Sequence, residues 1–223
     1  MNIPLDQYIS LSPTTGYVLS KLPSTIFNEL KPLVDEISYS FSSSKEANKT
    51  LIGEIEHEYE FTLPNGVLNF VKEKVEIIGK SSPDLGDIHR LLGGNNSLAV
   101  PSLSYNGEAW INFQQKYEYN PPHSHSGVFS FVIWYQIPYY IKDELPYNSG
   151  QKRKDPNYSS NGDFNFLHSS GEKMWNHPLY IDKNKEGYMA IFPSLLTHYV
   201  NPFYSSDDYR ITISGNIILS NHE

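Results

Sequence analysis

Asn120-Pro121-Pro122-His123-Ser124-His125-Ser126-Gly127, followed at once by the apolar and aromatic run Phe129 to Ile137, is the stretch on which the fold turns. Side chains alternate across an extended segment, so His123 and His125 point to one side of it. A histidine pair at the mouth of an aromatic-rich strand is a candidate grip for a metal ion.

Runs of the same texture lie on either side. They are Leu98 to Val100, Ser102 to Tyr105, Ala109 to Lys116, Asp163 to Leu167, Tyr188 to Phe192 and Ile211 to Leu219. All are short, rich in β-branched and aromatic residues, and separated by Gly, Pro, Asn or Ser turns. That spacing predicts a mainly β second half, a closed barrel or a double-stranded β-helix (jelly roll). The polar stretch Lys142 to Gly162 is long for a compact β unit. It reads as a functional cover or as a solvated insertion.

The first half has a different texture. Met1 to Leu22 reads as an extended lead-in with turns at Ser12-Pro13 and Thr15-Gly16. After it, Phe27, Leu30, Val34, Ile37 and Phe41 recur at helical spacing, with Ser24 as a candidate N-cap. Pro32 falls inside that span and should kink the helix or move its start later. Leu68, Val71, Val75 and Ile78 predict a second helix from Gly66 to Ile78, capped by Asn65 and stopped at Gly79. Pro83 to Leu92 has room for a third helix, and Gly93 to Ser97 reads as a loop. The helices are expected to pack on one face of a sheet. The chain is then one domain, with residues 1–97 as helical support and 98–223 as a jelly-roll core.

A chain of 223 residues is long enough to bury a substantial core. The net charge is −8 and no Lys/Arg stripe is present, which argues against a nucleic-acid groove. Cysteine is absent, so a disulfide framework, a thiolate metal site and a Cys nucleophile are excluded. That absence also fits a reducing compartment. Met1 to Leu22 lacks the basic-then-apolar pattern of a secretory signal, and the apolar runs are too short to span a bilayer. The expectation is a soluble protein of the cytoplasm, or of the host cytoplasm if viral.

Two further features belong with the histidine pair. His198 follows Phe192-Pro193-Ser194-Leu195-Leu196-Thr197, and Arg210 opens Arg210-Ile211-Thr212-Ile213-Ser214-Gly215-Asn216. With these residues in place, Glu108 to Ile217 resembles the 2-oxoglutarate and Fe(II)-dependent oxygenase superfamily, and above all its short members from marine phages and bacteria. The resemblance implies iron held by an early His-x-Asp/Glu and a late His inside a jelly roll. It implies an Arg beyond the late His that binds the distal carboxylate of 2-oxoglutarate. The matching residues are His123, His125, His198 and Arg210. Thr212 and Ser214 share a strand face with Arg210 and are candidate hydrogen-bond partners for that carboxylate. Tyr135 resembles the tyrosine that many members place against it. The implied cofactors are Fe(II), 2-oxoglutarate as co-substrate and O2. The implied reaction is oxidation of a small-molecule or peptide substrate, with hydroxylation of an aliphatic C–H the leading form, coupled to decarboxylation of 2-oxoglutarate to succinate.

The physical chemistry of the residues agrees. Neutral imidazole is a good Fe(II) ligand, and three protein ligands on one face leave positions for a 2-oxo acid and O2. Arginine meets a carboxylate with two parallel hydrogen bonds. The departure is at His125, where the family has Asp or Glu. Three ligand sets are open: all three histidines; His125 and His198 with Gly127 at a vacant carboxylate position, as in halogenases of the superfamily; or a carboxylate from elsewhere, such as Asp163 or Glu118. His57, His89, His177 and His222 have no motif around them, and His168 has at most a substrate contact. The acidic run Glu54, Glu56, Glu58 and Glu60 reads as a solvated face. The rival functions are a cupin-type metalloenzyme, which has no need of Arg210, and a non-catalytic jelly-roll binding protein.

Overall fold

The computed structural model describes residues 4–12, 15–41, 44–47, 52–81, 103–148, 159–170 and 172–219. Its strands are β1 (Tyr8–Ser12), β2 (Thr15–Lys21), β3 (His57–Phe61), β4 (Leu103–Gln114), β5 (Asn120–His123), β6 (Phe129–Gln136), β7 (Phe164–Ser170), β8 (Lys173–Leu179), β9 (Tyr188–Pro193), β10 (His198–Val200) and β11 (Arg210–Leu219). They pair antiparallel into a seven-stranded sheet, β1-β2-β9-β6-β11-β4-β3, and a four-stranded sheet, β5-β10-β7-β8. This is the mainly β, double-stranded β-helix expected from the strand spacing. The helices are α1 (Ser24–Phe27), α2 (Lys31–Tyr39), α3 (Asn65–Ser81) and α4 (Ile141–Glu144).

The larger sheet is covered on both sides, and its strands sort residues by parity. One register row, Tyr59–Ile111–Ile213–Ile133–Met189, crosses five strands. It packs with Val34 of α2 and Val67, Val71, Val75 and Ile78 of α3 in one buried cluster. Each such aliphatic side chain contributes about 1.5–3 kcal/mol on full burial. The next row along, Glu58–Asn112–Thr212–Trp134, faces the other way. On that side Trp134, Val132 and Phe192 join Phe164 and Phe166 of the smaller sheet in a second cluster.

Several elements differ from the sequence reading. The lead-in before Leu22 is a hairpin, β1–β2, and β2 pairs with β9 inside the larger sheet. Tyr17, Val18, Leu19 and Ser20 are all buried. With both faces covered, the polar–apolar alternation that betrays a strand is absent. The part expected to be helical support therefore also supplies β1, β2 and β3 to the larger sheet. Pro32 divides the first helical span: α1 ends at Phe27 and α2 starts at Lys31 with the proline in its first turn, where its missing N–H costs nothing. Ser24 is the first helical residue and not a side-chain cap. Helix α3 starts at Asn65 and runs through Gly79 to Ser81.

Leu103–Gln114 is one strand where two were expected. Strands β5, β8 and β10 carry no apolar alternation, and in β3 only Tyr59 and Phe61 alternate with the glutamates; none of the four was read as a strand. β5 holds Pro121 and Pro122, which an edge strand tolerates. The readings of Pro83 to Leu92, Gly93 to Ser97 and Leu98 to Val100 lie outside the described residues, as do those of His89 and His222. No helix among the described residues is long and apolar enough to cross a membrane.

Candidate active site

His123 and His198 are cross-strand partners of β5 and β10, with ring centroids 4.4 Å apart. His125 follows β5, and its backbone N–H donates to Ser194 O at 2.8 Å. Ser194 N–H in turn donates to Val128 O, and Val128 N–H to Ile217 O. The turn that carries the early histidines is thus stitched to the turn that carries the late one. Potential ligand atoms of all three imidazoles lie within 4.8 Å of one another.

The protonation pattern favours a cation. His123 Nδ1 is 2.7 Å from Pro121 O and His198 Nδ1 is 3.0 Å from Leu196 O. Each Nδ1–H therefore donates to a carbonyl, and each Nε2 presents its lone pair. His125 Nε2 and His198 Nε2 stand 3.2 Å apart. Two imidazole nitrogens at about 2.1 Å from one ion, at right angles, stand about 3.0 Å apart. Burial first, then the neighbouring imidazoles, pushes His198 down to about 3 and His125 down to about 4. Burial also lowers His123, against the pull of its Pro121 hydrogen bond. All three are neutral at physiological pH, the form that binds metal. Phe164 stacks on the His198 ring at 5.3 Å and Trp110 lies 5.3 Å from His125. The aromatic walls exclude water and fix the ring planes.

No carboxylate joins this group among the described residues. Glu118 is committed elsewhere, accepting from the backbone N–H of Glu56 and Gln115. At Gly127 (φ +102) an added Cβ would sit nearest Ile217 O, Asn216 Cβ and Ser194 Oγ. Asp163 is buried at the start of β7 and is not part of the cluster.

Arg210 is 1% exposed and lines the same cavity. Its Nη1 donates to Gly162 O at 2.7 Å and to Tyr139 Oη at 3.2 Å. The Tyr139 hydroxyl donates to Gly162 O at 3.0 Å. Burial raises Tyr139 to about 12, with Arg210 pulling the other way, so the phenol keeps its proton. Gly162 is required here: its φ is +72, and a Cβ would stand 2.2 Å from Tyr139 Oη. Arg210 Nε and Trp134 Nε1 are buried donors without a partner, and both residues line the cavity. Buried unpaired N–H groups are costly. Two of them at one end of a cavity, one on a guanidinium, suit a carboxylate.

Thr212 and Ser214 line the cavity beside Arg210. Tyr135 does not. Its parity on β6 is that of Ile133, so it packs on the helix side, 5.3 Å from the Phe27 ring. The tyrosine that touches Arg210 is Tyr139, beyond the end of the strand, where strand periodicity gives no guide. The loop after it is tied down at its described ends. Glu144, fully buried, accepts from Tyr204 N–H, Ser205 N–H and Ser205 Oγ–H. Ser159 Oγ donates to Asn148 Oδ1 at 2.7 Å. The centre of the expected cover, residues 149–158, lies outside the described residues.

The cavity measures about 660 Å3. Its far wall contains Glu58, Asn112 and Asn120, none of them anticipated as site residues. The acidic run is not wholly a solvated face. Glu58 is 2% exposed, and burial, then the Glu118 charge, raises its carboxyl to about 7. The available signal was Glu58, Asn112 and Gln114 at inward parity within otherwise apolar strands. His57 is half-buried and stacks on Phe41 at 4.7 Å. His177 Nε2 lies 3.0 Å from Tyr17 Oη. His168 does not line the cavity.

Residues 108–216 match the family model described as "Putative 2OG-Fe(II) oxygenase". Among solved structures, a Pseudomonas putida prolyl-4-hydroxylase superposes with a TM-score of 0.55 at 13% identity, covering 93% of this chain and 95% of that one. At that identity the likeness is one of fold. A Burkholderia pseudomallei oxidoreductase of the 2OG-Fe(II) oxygenase family gives a TM-score of 0.48 at 12% identity, covering 92% and 86%. No curated protein matches the chain.

Proposed function

We propose that the chain is a 2OG-Fe(II) oxygenase that hydroxylates an aliphatic C–H, a reading supported by the match of residues 108–216 to that family model. In this reading His123, His125 and His198 hold Fe(II), and Arg210 holds the distal carboxylate of 2-oxoglutarate. The observation that carries it is the pairing, in one cavity, of three neutral imidazoles with a buried guanidinium whose Nε lacks a partner. A cupin-type site has no use for the second element.

Bound iron, with 2-oxoglutarate and O2, supplies the oxidising power for C–H cleavage. The chain's own residues do the rest. Pro121 O and Leu196 O fix the tautomers of His123 and His198 and aim each Nε2 inward. Tyr139 and Gly162 O hold Arg210 in one orientation, which sets the direction of the co-substrate's tail. Thr212 and Ser214 offer hydroxyls beside it, and Trp134 an N–H. Phe164, Phe192 and Trp110 keep bulk water from the reacting atoms. His125 fills the ligand position that halogenases of the superfamily leave for halide, which favours hydroxylation over halogenation.

The experiment is to measure succinate release from 2-oxoglutarate by the Fe(II)-reconstituted chain, with anaerobic Mn(II) and 2-oxoglutarate binding alongside. Metal-dependent 2-oxoglutarate binding, lost in H198A, is expected. Stoichiometric metal without any affinity for 2-oxoglutarate would overturn the reading.

A further inference from the structure

The three imidazoles are not held alike. His123 and His198 each donate Nδ1–H to the carbonyl two residues earlier, Pro121 O at 2.7 Å and Leu196 O at 3.0 Å. Their strands pair with one another. Phe164 lies 18° from parallel to the His198 ring, and Phe192 is 4.8 Å away. His125 turns Nε2 toward His198, and its Nδ1–H meets no protein acceptor among the described residues. A metal-ligating histidine ordinarily has such an acceptor, which fixes the ring and raises its basicity. The His125 ring is half-buried, follows the end of β5, and is flanked by exposed Ser124, Ser126 and Gly127.

We propose that His125 is the exchangeable ligand of the metal centre and that its place is a binding site for a small anion, a carboxylate or a halide. The proposal rests on the reading above of the three histidines as metal ligands.

The main chain at His125 is fixed, so exchange is a movement of the ring. Its backbone N–H donates to Ser194 O at 2.8 Å. Ser130 Oγ lies 3.0 Å from Ser194 Oγ and 2.7 Å from Asn216 Oδ1. An amide oxygen only accepts, so Ser130 gives its one proton to Asn216 and receives that of Ser194. All three groups are buried, and such a chain of bonds holds the turn in one shape. Rotation about the side-chain torsions then carries the ring away from His198 toward the exposed side of the turn. Trp110 does not sandwich the ring but lies tilted against it at 47°.

The surroundings suit an incoming anion. Among the described residues no carboxylate joins the three imidazoles, so neutral ligands leave the charge of a divalent ion undiminished. Asn216 lines the cavity, and with its Oδ1 engaged by Ser130 its Nδ2 is the group left to donate. Ser126 lines the cavity too, next to Gly127, where an added Cβ would stand 3.5 Å from Asn216 Cβ. In the exchange the bond from His125 Nε2 to the ion breaks as the bond from the anion forms. The imidazole leaves neutral, with its Nδ1 proton, and no electron moves.

The test uses the full chain loaded anaerobically with Co(II). Metal affinity is measured for H123A, H198A, H125A and H125Q. H123A and H198A should each lose at least about a hundredfold, and H125A and H125Q about tenfold or less. Proton NMR of the Co(II) wild type then reads the hyperfine-shifted ring signals. The N–H signals of His123 and His198 should persist in water, and that of His125 should exchange rapidly. Titration with azide, formate or chloride should return the His125 ring signals to unshifted positions and leave the other two rings shifted. Tighter binding of formate than chloride marks a carboxylate site, and the reverse a halide site; both support the exchange. Equal losses of metal affinity at all three positions, no binding of any anion, or His125 signals still shifted at saturating anion overturns the proposal. A wild-type chain that takes up no Co(II) overturns the metal reading itself, and the proposal with it.

Discussion

The two faces of the larger sheet are built from the same strands and differ by one step of register. Tyr59, Ile111, Ile213 and Ile133 face the helices, while Glu58, Asn112, Thr212 and Trp134 face the cavity. The first row is interchangeable hydrophobic mass whose value is its burial. The second is a buried polar row whose members are individually expensive and are kept in one arrangement. Stability is concentrated on one face and recognition on the other, and the rigid sheet between them lets a substitution act on one without the other.

The sharpest way to break that division is His198. H198A should lower turnover by about a thousandfold or more, roughly 4 kcal/mol, while the metal-free protein keeps its fold. Metal content and urea melts measured together check both halves. I213A, on the opposite face, should cost about 3–4 kcal/mol of stability through the cavity it leaves. Its Mn(II) affinity should be unchanged, and a large loss of metal would mean the faces are coupled. R210A should weaken 2-oxoglutarate binding by about 2–3 kcal/mol, the range for a charged hydrogen-bond partner, read as a rise in the apparent dissociation constant. G162A should follow it, because the new Cβ displaces Tyr139 from Arg210.

A smaller effect concerns pH. The Glu58 carboxyl is raised from 4.5 to about 7 in the folded state, so the native protein binds more protons than the unfolded chain in that window. Its contribution to stability is full below about pH 4.5 and is lost as the pH rises through about 7, by about 3 kcal/mol. The depressed histidines act with the opposite sign, so the quantity to measure is the difference between wild type and E58Q in metal-free urea melts at pH 5 and 7.5. A difference independent of pH would mean the carboxyl is ionised throughout. Least of all should change in Y135F, which sits on the helix face. An effect on 2-oxoglutarate binding above about 0.5 kcal/mol would restore that residue to the site.

Legibility followed the same division. β6, β9 and β11 were readable because they are dense in β-branched and aromatic residues between turn residues, and in β11 polar Arg210, Thr212, Ser214 and Asn216 alternate with Ile211, Ile213 and Ile217. β2 was hidden because both its faces are buried. β10 is only His198–Val200, too short for any periodicity, and β5 carries two prolines. At the site, His-x-His and the spacing from His198 to Arg210 were visible because each pair lies within a short span of chain. Tyr139 and Gly162 were not, since they meet Arg210 only through an irregular connection. Glu58 was obscured by its acidic neighbours: a run of glutamates is usually hydrated, and composition cannot tell which of them turns inward.

By itself, the order of residues determined the alternation that makes two sheets, the helical stripe that covers one of them, and the identity of the groups able to hold a metal and a carboxylate. These are local properties, set by steric periodicity and by the chemistry of single side chains. Only tertiary structure decided that three imidazoles stand close together with no carboxylate beside them among the described residues, that a guanidinium is held by a tyrosine and a backbone carbonyl, and that one glutamate of four is buried in the cavity wall. Those outcomes depend on which distant strands become neighbours and in what register. Register is set by the packing of the whole sheet, and no single segment contains it.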